Sequence, residues 1–188
     1  MPEEEQPKLE IISDGANLAT PPNPDELEIS IFGPGYGECI VAHLGDNSWF
    51  VVDSCIDVYT KTPAALAYFE KIGVDPSVSV KQIIATHWHD DHIKGFAEVV
   101  DACPSAQLVV SEALRKEEFG ALISCFGTRV MTANSGAYEF HRVMMLMMDR
   151  KKKGIGNHIP KWAIEGRSIW RGKVGCFGSV DCELVSLC

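Results

Sequence analysis

The run VKQIIATHWHDDHIKG, Val80 to Gly95, constrains this chain more than any other stretch. Val80 to Thr86 reads as a short buried strand, apolar and rich in β-branched residues. His87 to His92 then holds three of the chain's six histidines and two aspartates. Lys94 to Cys103 has helical spacing and stops before Pro104. A buried strand that ends in ligand-type side chains and turns at once into a helix must satisfy those polar groups, because desolvating them unpaired is costly. Metal coordination removes that cost.

The spacing supports this. In an extended segment residues i and i+2 point the same way, so His87 and His89 can aim two imidazoles at one point. Trp88 points elsewhere, into packing. Asp91 and His92 fall where the chain turns into the helix and can reach a neighbouring point. Neutral imidazole ligates zinc at about 2.0–2.1 Å and carboxylate at similar range, and a catalytic zinc keeps one position open for water. Two such points side by side form a two-metal site. Of the other histidines, His43 closes an apolar strand and His141 sits inside a helical pattern, and both read as structural.

The rest of the chain organises around this run. Residues 1–26 form an acidic tail ending in the proline-rich TPPNPDE. Leu27–Phe32 alternates, Glu38–Leu44 is mostly apolar, and Ser48–Asp53 runs into an acid. Their connections, GPGYG and GDN, are rich in turn residues, so residues 27–53 read as an antiparallel meander. Helices are expected at Pro63–Ile72, at EALRKEEFGALISCF (residues 112–126) and at GAYEFHRVMMLMMDRKKK (residues 136–153), with a strand at QLVVS. Lys151–Lys153 followed by Gly154 fits a helix C-terminus, where cations suit the dipole.

Of the net charge of −9, seven acids and one lysine place −6 within residues 1–26. That balance does not indicate nucleic-acid binding. The apolar runs are too short to span a membrane, and the acidic N-terminus lacks a secretory core. Seven cysteines without a CxxC pair suit buried or free thiols in a reducing cytoplasm.

Thr86 to His92 reads T-H-x-H-x-D-H, which resembles the signature of the metallo-β-lactamase superfamily. WFVVDSC resembles that family's strand ending in an aspartate, here Asp53. FGPGYGECIVAHL resembles the glycine-rich first hairpin of the branch that includes hydrolase domains of DNA-uptake channel proteins. DHIKG resembles the usual continuation, with Lys94 where many members carry a small residue. The match covers about Leu27 to Cys103. The resemblance implies an α+β fold, a four-layer αββα sandwich over residues 27–188 with metals at one edge of the sheets. It implies His87 and His89 as site-one ligands, Asp91 and His92 at site two, and Asp91 also orienting or deprotonating water. Asp53 becomes an outer residue that fixes ligand geometry. The metal implied is zinc, one ion or two, and the same donors suit iron or manganese. The substrate implied is a small molecule or a phosphodiester.

The second half departs from the pattern. The family adds a third site-one histidine, an aspartate bridging the metals and another histidine after the first cluster. Here only His141 and His158 follow His92, and the bridging role falls to Asp149 or Asp181. His158 is carried as a weak ligand candidate. The domain is therefore expected to be incomplete at its C-terminal end, to bind at most one metal well, to hydrolyse poorly, and to self-associate through an exposed sheet edge. Two further readings stand beside the hydrolase. One is a metal-binding but catalytically incompetent half-domain. The other is an interaction module using the sheet edge and the methionine-rich helix (Met144, Met145, Met147, Met148).

Overall fold

The structure is a computed structural model that describes residues 20–33, 37–87, 89–112, 136–174 and 180–185. Most of the helix expected at residues 112–126 and the packing of Trp88 lie outside the described residues.

Three strands open the fold: β1 (Leu27–Phe32), β2 (Cys39–Leu44) and β3 (Trp49–Val52). Their pairing is antiparallel, Ile29 opposite Ala42 and Ala42 opposite Phe50, as the expected meander requires. Helix α1 (Ala64–Ile72) starts after Pro63 and ends on Gly73 in the left-handed conformation, where amides of Gly73 and Val74 turn back onto Glu70 and Phe69. The one-turn helix α2 (Pro76–Ser79) is capped by Asp75 and feeds β4 (Val80–Ala85). Then come α3 (Asp90–Ile93), α4 (Phe96–Ala102), β5 (Gln107–Ser111), α5 (Gly136–Lys153), β6 (Lys161–Ala163), β7 (Ser168–Val174) and β8 (Val180–Val185).

Strands β1 to β6 form one sheet in sequential order, and β7 and β8 form a second, antiparallel pair. From β3 onward the neighbours are parallel, so β3, β4, β5 and β6 end at one edge. Alternate residues divide the large sheet between two faces. Cys39, Val41, Trp49, Val51, Ile83, Ala85, Leu108 and Val110 face α1, α4 and α5 and form the main core with Phe69, Phe96, Val143 and Met147. Trp49 meets the edge of Phe69 at 5.4 Å. On the opposite face Phe50 packs on Trp170 of β7 at 5.0 Å, and Gln82 donates to the Ile169 carbonyl. The described residues therefore supply a helix layer and two sheet layers.

Helix α5 is fastened to α4 at both ends. The buried Glu139 accepts the Ala97 amide in the first turn of α4 at 3.3 Å, and the buried Arg150 donates to the Val100 carbonyl in its last turn at 2.6 Å. Each charge opposes the partial charge at that helix end. Of the four methionines on α5, Met147 is buried and Met145 and Met148 are exposed. His43 is buried with its ring tilted against Trp49 at 4.6 Å. Cys39, Cys55 and Cys103 are buried free thiols. The described end of the acidic tail lies on the domain, with the Pro24 carbonyl accepting the Asp46 amide.

Candidate metal centre

Asp53 follows β3 and Thr86–His87 follows β4, and because the two strands are parallel, with Val52 opposite Ile84, their ends meet. Asp53 is buried and takes the left-handed conformation (φ 56°), which turns its carboxylate back toward β4. Its Oδ1 accepts the Thr86 amide at 2.8 Å. Its Oδ2 accepts the Thr86 hydroxyl at 2.6 Å and faces His92 Nδ1 at 2.9 Å. The Thr86 oxygen also lies 2.8 Å from His87 Nδ1.

These four contacts settle the ring tautomers. A carboxylate only accepts, so His92 must donate from Nδ1. The Thr86 hydroxyl has one proton, which it gives to Asp53, so it accepts from His87 Nδ1. In the neutral form of each ring this leaves Nε2 as the unprotonated nitrogen. The rings stand 3.8 Å apart by centroid, and His89 stands 5.1 Å from His87. Asp91 Oδ2 lies 3.6 Å from His92 Nε2, with its side chain 45% exposed.

The backbone of the turn is pinned from the opposite side. Glu38 donates its amide to the Asp91 carbonyl, Ser54 donates its amide to the His92 carbonyl, and the Ser54 hydroxyl donates to the Lys94 carbonyl. Gly37 makes this close approach feasible. At φ 109° a Cβ there would stand 2.9 Å from the Cys55 Cβ and 3.0 Å from the Asp91 oxygen.

The donor set fits a divalent metal. One donor atom from each of Asp53, His87 and His92 lies within 4.8 Å of the others, and imidazole with carboxylate is ordinary zinc chemistry. Within that trio, both Asp53 oxygens are already engaged by Thr86 and His92, which suits an aspartate that orients a ligand more than one that binds metal. His158 is not brought to this cluster. It follows the far end of α5, a helix about 27 Å long at 1.5 Å per residue, where Asn157 donates to the Pro104 and Ser105 carbonyls. Asp149 pairs with Lys153 near the same end, and Asp181 sits in β8 opposite Lys173. His141 lines a groove between α4 and α5. The reading from sequence gave Thr86 no role, although it stands directly before the histidines; its place between Asp53 and His87 appears only once β3 and β4 pair.

A mixed sheet with an aspartate and histidines gathered after adjoining parallel strands, and helices packed on one face, defines a domain with a candidate metal site. The chain belongs to the metallo-beta-lactamase superfamily, whose family model matches residues 32–141, and its fold is the fold of that family. Solved structures similar to it include the metallo-β-lactamase MIM-1 from Novosphingobium pentaromativorans, with 19% identity, 85% of this chain and 50% of that one covered, and a TM-score of 0.42. SMB-1, solved bound to 2-mercaptoethanesulfonate, matches at 15% identity, 82% and 51% coverage and a TM-score of 0.43. MEM-A1, a subclass B3 enzyme from a soil metagenome library, matches at 12% identity, 82% and 50% coverage and a TM-score of 0.41. The chain thus spans about half the length of the solved structures it matches. No curated protein matches.

Proposed function

We propose that the chain carries a metal-dependent hydrolase centre in which activated water attacks a small-molecule or phosphodiester substrate. The observation that carries the reading is the pair of rings, His87 and His92, 3.8 Å apart by centroid with each Nδ1 hydrogen-bonded, which leaves Nε2 of each neutral ring as the donor atom for a metal. His87 and His89 are the ligands of one point, and Asp91 and His92 belong to the adjoining one. Zinc is the metal proposed, one ion or two, and iron or manganese suits the same donors. When bound, the metal supplies Lewis acidity and a water of lowered pKa. The chain's residues do the rest. Asp53 and Thr86 hold the rings, and the half-exposed Asp91 orients the water and accepts its proton at a carboxylate oxygen.

The buried free thiols suit a cytoplasmic setting. No helix among the described residues is long and apolar enough to cross a membrane. Self-association between copies of this chain is proposed through edge strand β1, whose Leu27, Ile29 and Ile31 are 55%, 61% and 75% exposed on one face. Sedimentation of the wild type against Ile29→Glu tests this; a monomer at all concentrations refutes it.

The test of the centre is metal analysis with assays on generic lactam, thioester and phosphodiester substrates, using the wild type, His87→Ala and His92→Ala. The expected result is bound metal that both substitutions remove, and slow hydrolysis that tracks the metal. Bound metal without any hydrolysis supports the incompetent half-domain, and absence of metal refutes both. Two ions per chain with turnover of about 1 per second or more would show that the ligands are sufficient as they stand.

A further inference from the structure

We propose that Asp90 is a positioning residue for the metal centre, holding the ligand turn in register by docking its carboxylate on the first amide of helix α5. The proposal rests on the reading of His87, His89, Asp91 and His92 as ligands. Asp90 lies between two of them, and its Oδ1 accepts the amide of Gly136 at 2.5 Å, 46 residues along the chain. Gly136 opens an 18-residue helix. The first amides of a helix have no partner within it, and its dipole places positive charge there. A carboxylate answers both.

The turn needs such a tie. Helix α3 is one turn of four residues, and its N-cap, His89, makes no side-chain capping bond. A helix that short has little stability of its own. On one side, Glu38 and Ser54 pin the backbone at Asp91 and His92. On the other side stands α5, itself anchored to α4 through Glu139 and Arg150. Asp90 joins the turn to that anchored helix. The positions of His89 and Asp91, which flank it, then depend on a bond made between distant parts of the chain. A residue that merely capped α5 would affect stability alone, whereas a positioning residue changes how the ligands meet the metal.

The experiment measures Zn2+ affinity by competition with a chromogenic chelator, and the visible absorption of the Co2+-loaded protein, for wild type, Asp90→Ala, Asp90→Asn and Gly136→Pro. Asp90→Ala should weaken zinc binding about tenfold or more, the range for losing a partner that orients a ligand, and should shift the Co2+ bands. Asp90→Asn keeps an oxygen acceptor that caps nearly as well, and should stay within about threefold of wild type. Gly136→Pro removes the donor and should match Asp90→Ala, with no further loss in the double variant. Where variants fail to fold, amide exchange in the wild type decides: coupling is reciprocal, so saturating zinc should slow exchange at Gly136. The proposal is overturned if Asp90→Ala binds zinc as tightly as wild type, if Asp90→Asn is as weak as Asp90→Ala, or if Gly136 exchange ignores zinc. A wild type that binds neither Zn2+ nor Co2+ overturns the ligand reading as well.

Discussion

At the scale of single residues, Asp53 links the strand ends at the candidate centre. Its two oxygens receive three donors, from the Thr86 amide, the Thr86 hydroxyl and His92. An asparagine cannot accept all three, since one of its terminal atoms is a donor. Asp53→Asn should therefore release the His92 ring and lower zinc affinity about 10–100-fold, measured by chelator competition; an unchanged affinity would show that Asp53 does not orient the ring. His43 makes a different kind of prediction. Burial pushes its pKa down, against the Glu26 carbonyl and the charges of Glu28, Glu26 and Asp46, which push it up. The unfolded chain then takes up a proton near pH 6.5 that the folded chain resists. Stability from this residue is present above that pH and is lost as pH falls through the lower folded value. Urea unfolding should show this loss in the wild type and a smaller one in His43→Phe; equal slopes in the two would exclude His43 as the cause.

At the scale of elements, α4 and α5 are joined by ends as much as by faces. Arg150 is buried, and its guanidinium serves the Val100 and Asp101 carbonyls. Those carbonyls belong to the last turn of α4, where the helix leaves its own acceptors unpaired. Replacing Arg150 with Met keeps much of the apolar stem but removes the guanidinium donors, leaving the Val100 carbonyl with the longer bond from the Cys103 amide. The expected loss is about 1–3 kcal/mol in denaturant unfolding, with protection of the α4 amides falling in hydrogen exchange. A neutral result would mean that water reaches the end of α4 and takes the place of the arginine.

At the scale of the whole molecule, the proposed ligands hang on one edge of the sheet, after β4 and in α3, and Asp53 ties them to the end of β3. A metal bound there holds together parts of the chain that unfolding separates. Zinc at a hundred times its dissociation constant should add about 2.7 kcal/mol, a rise of about 5–10 °C in melting temperature for a chain of this size. Calorimetry should show the rise in wild type, its reversal by chelator, and its absence in the His87→Ala, His92→Ala double variant. A rise that survives both substitutions would place the metal elsewhere.

What could be read from the sequence was local. The period-two pattern of Leu27–Phe32, the apolar run Val80–Thr86 and the proline and glycine that bound Pro63–Ile72 each mark an element, and the structure has those elements within a residue or two. The i, i+2 spacing of His87 and His89 likewise follows from backbone geometry alone, and their rings do lie near one another. Tertiary structure decided everything that depends on distant partners. Thr86 bonds Asp53, 33 residues away; Gly37 makes room for the Asp91 carbonyl; Asp90 finds the amide of Gly136; and α5 carries the chain to the far end of the domain before His158 is reached. The reason is physical. Periodicity and turn chemistry act over a few residues and leave a trace in the string. A hydrogen bond between two strand ends, or between a loop and a helix terminus, has no local signature, because its partners become neighbours only after the sheet has paired and the helices have packed upon it.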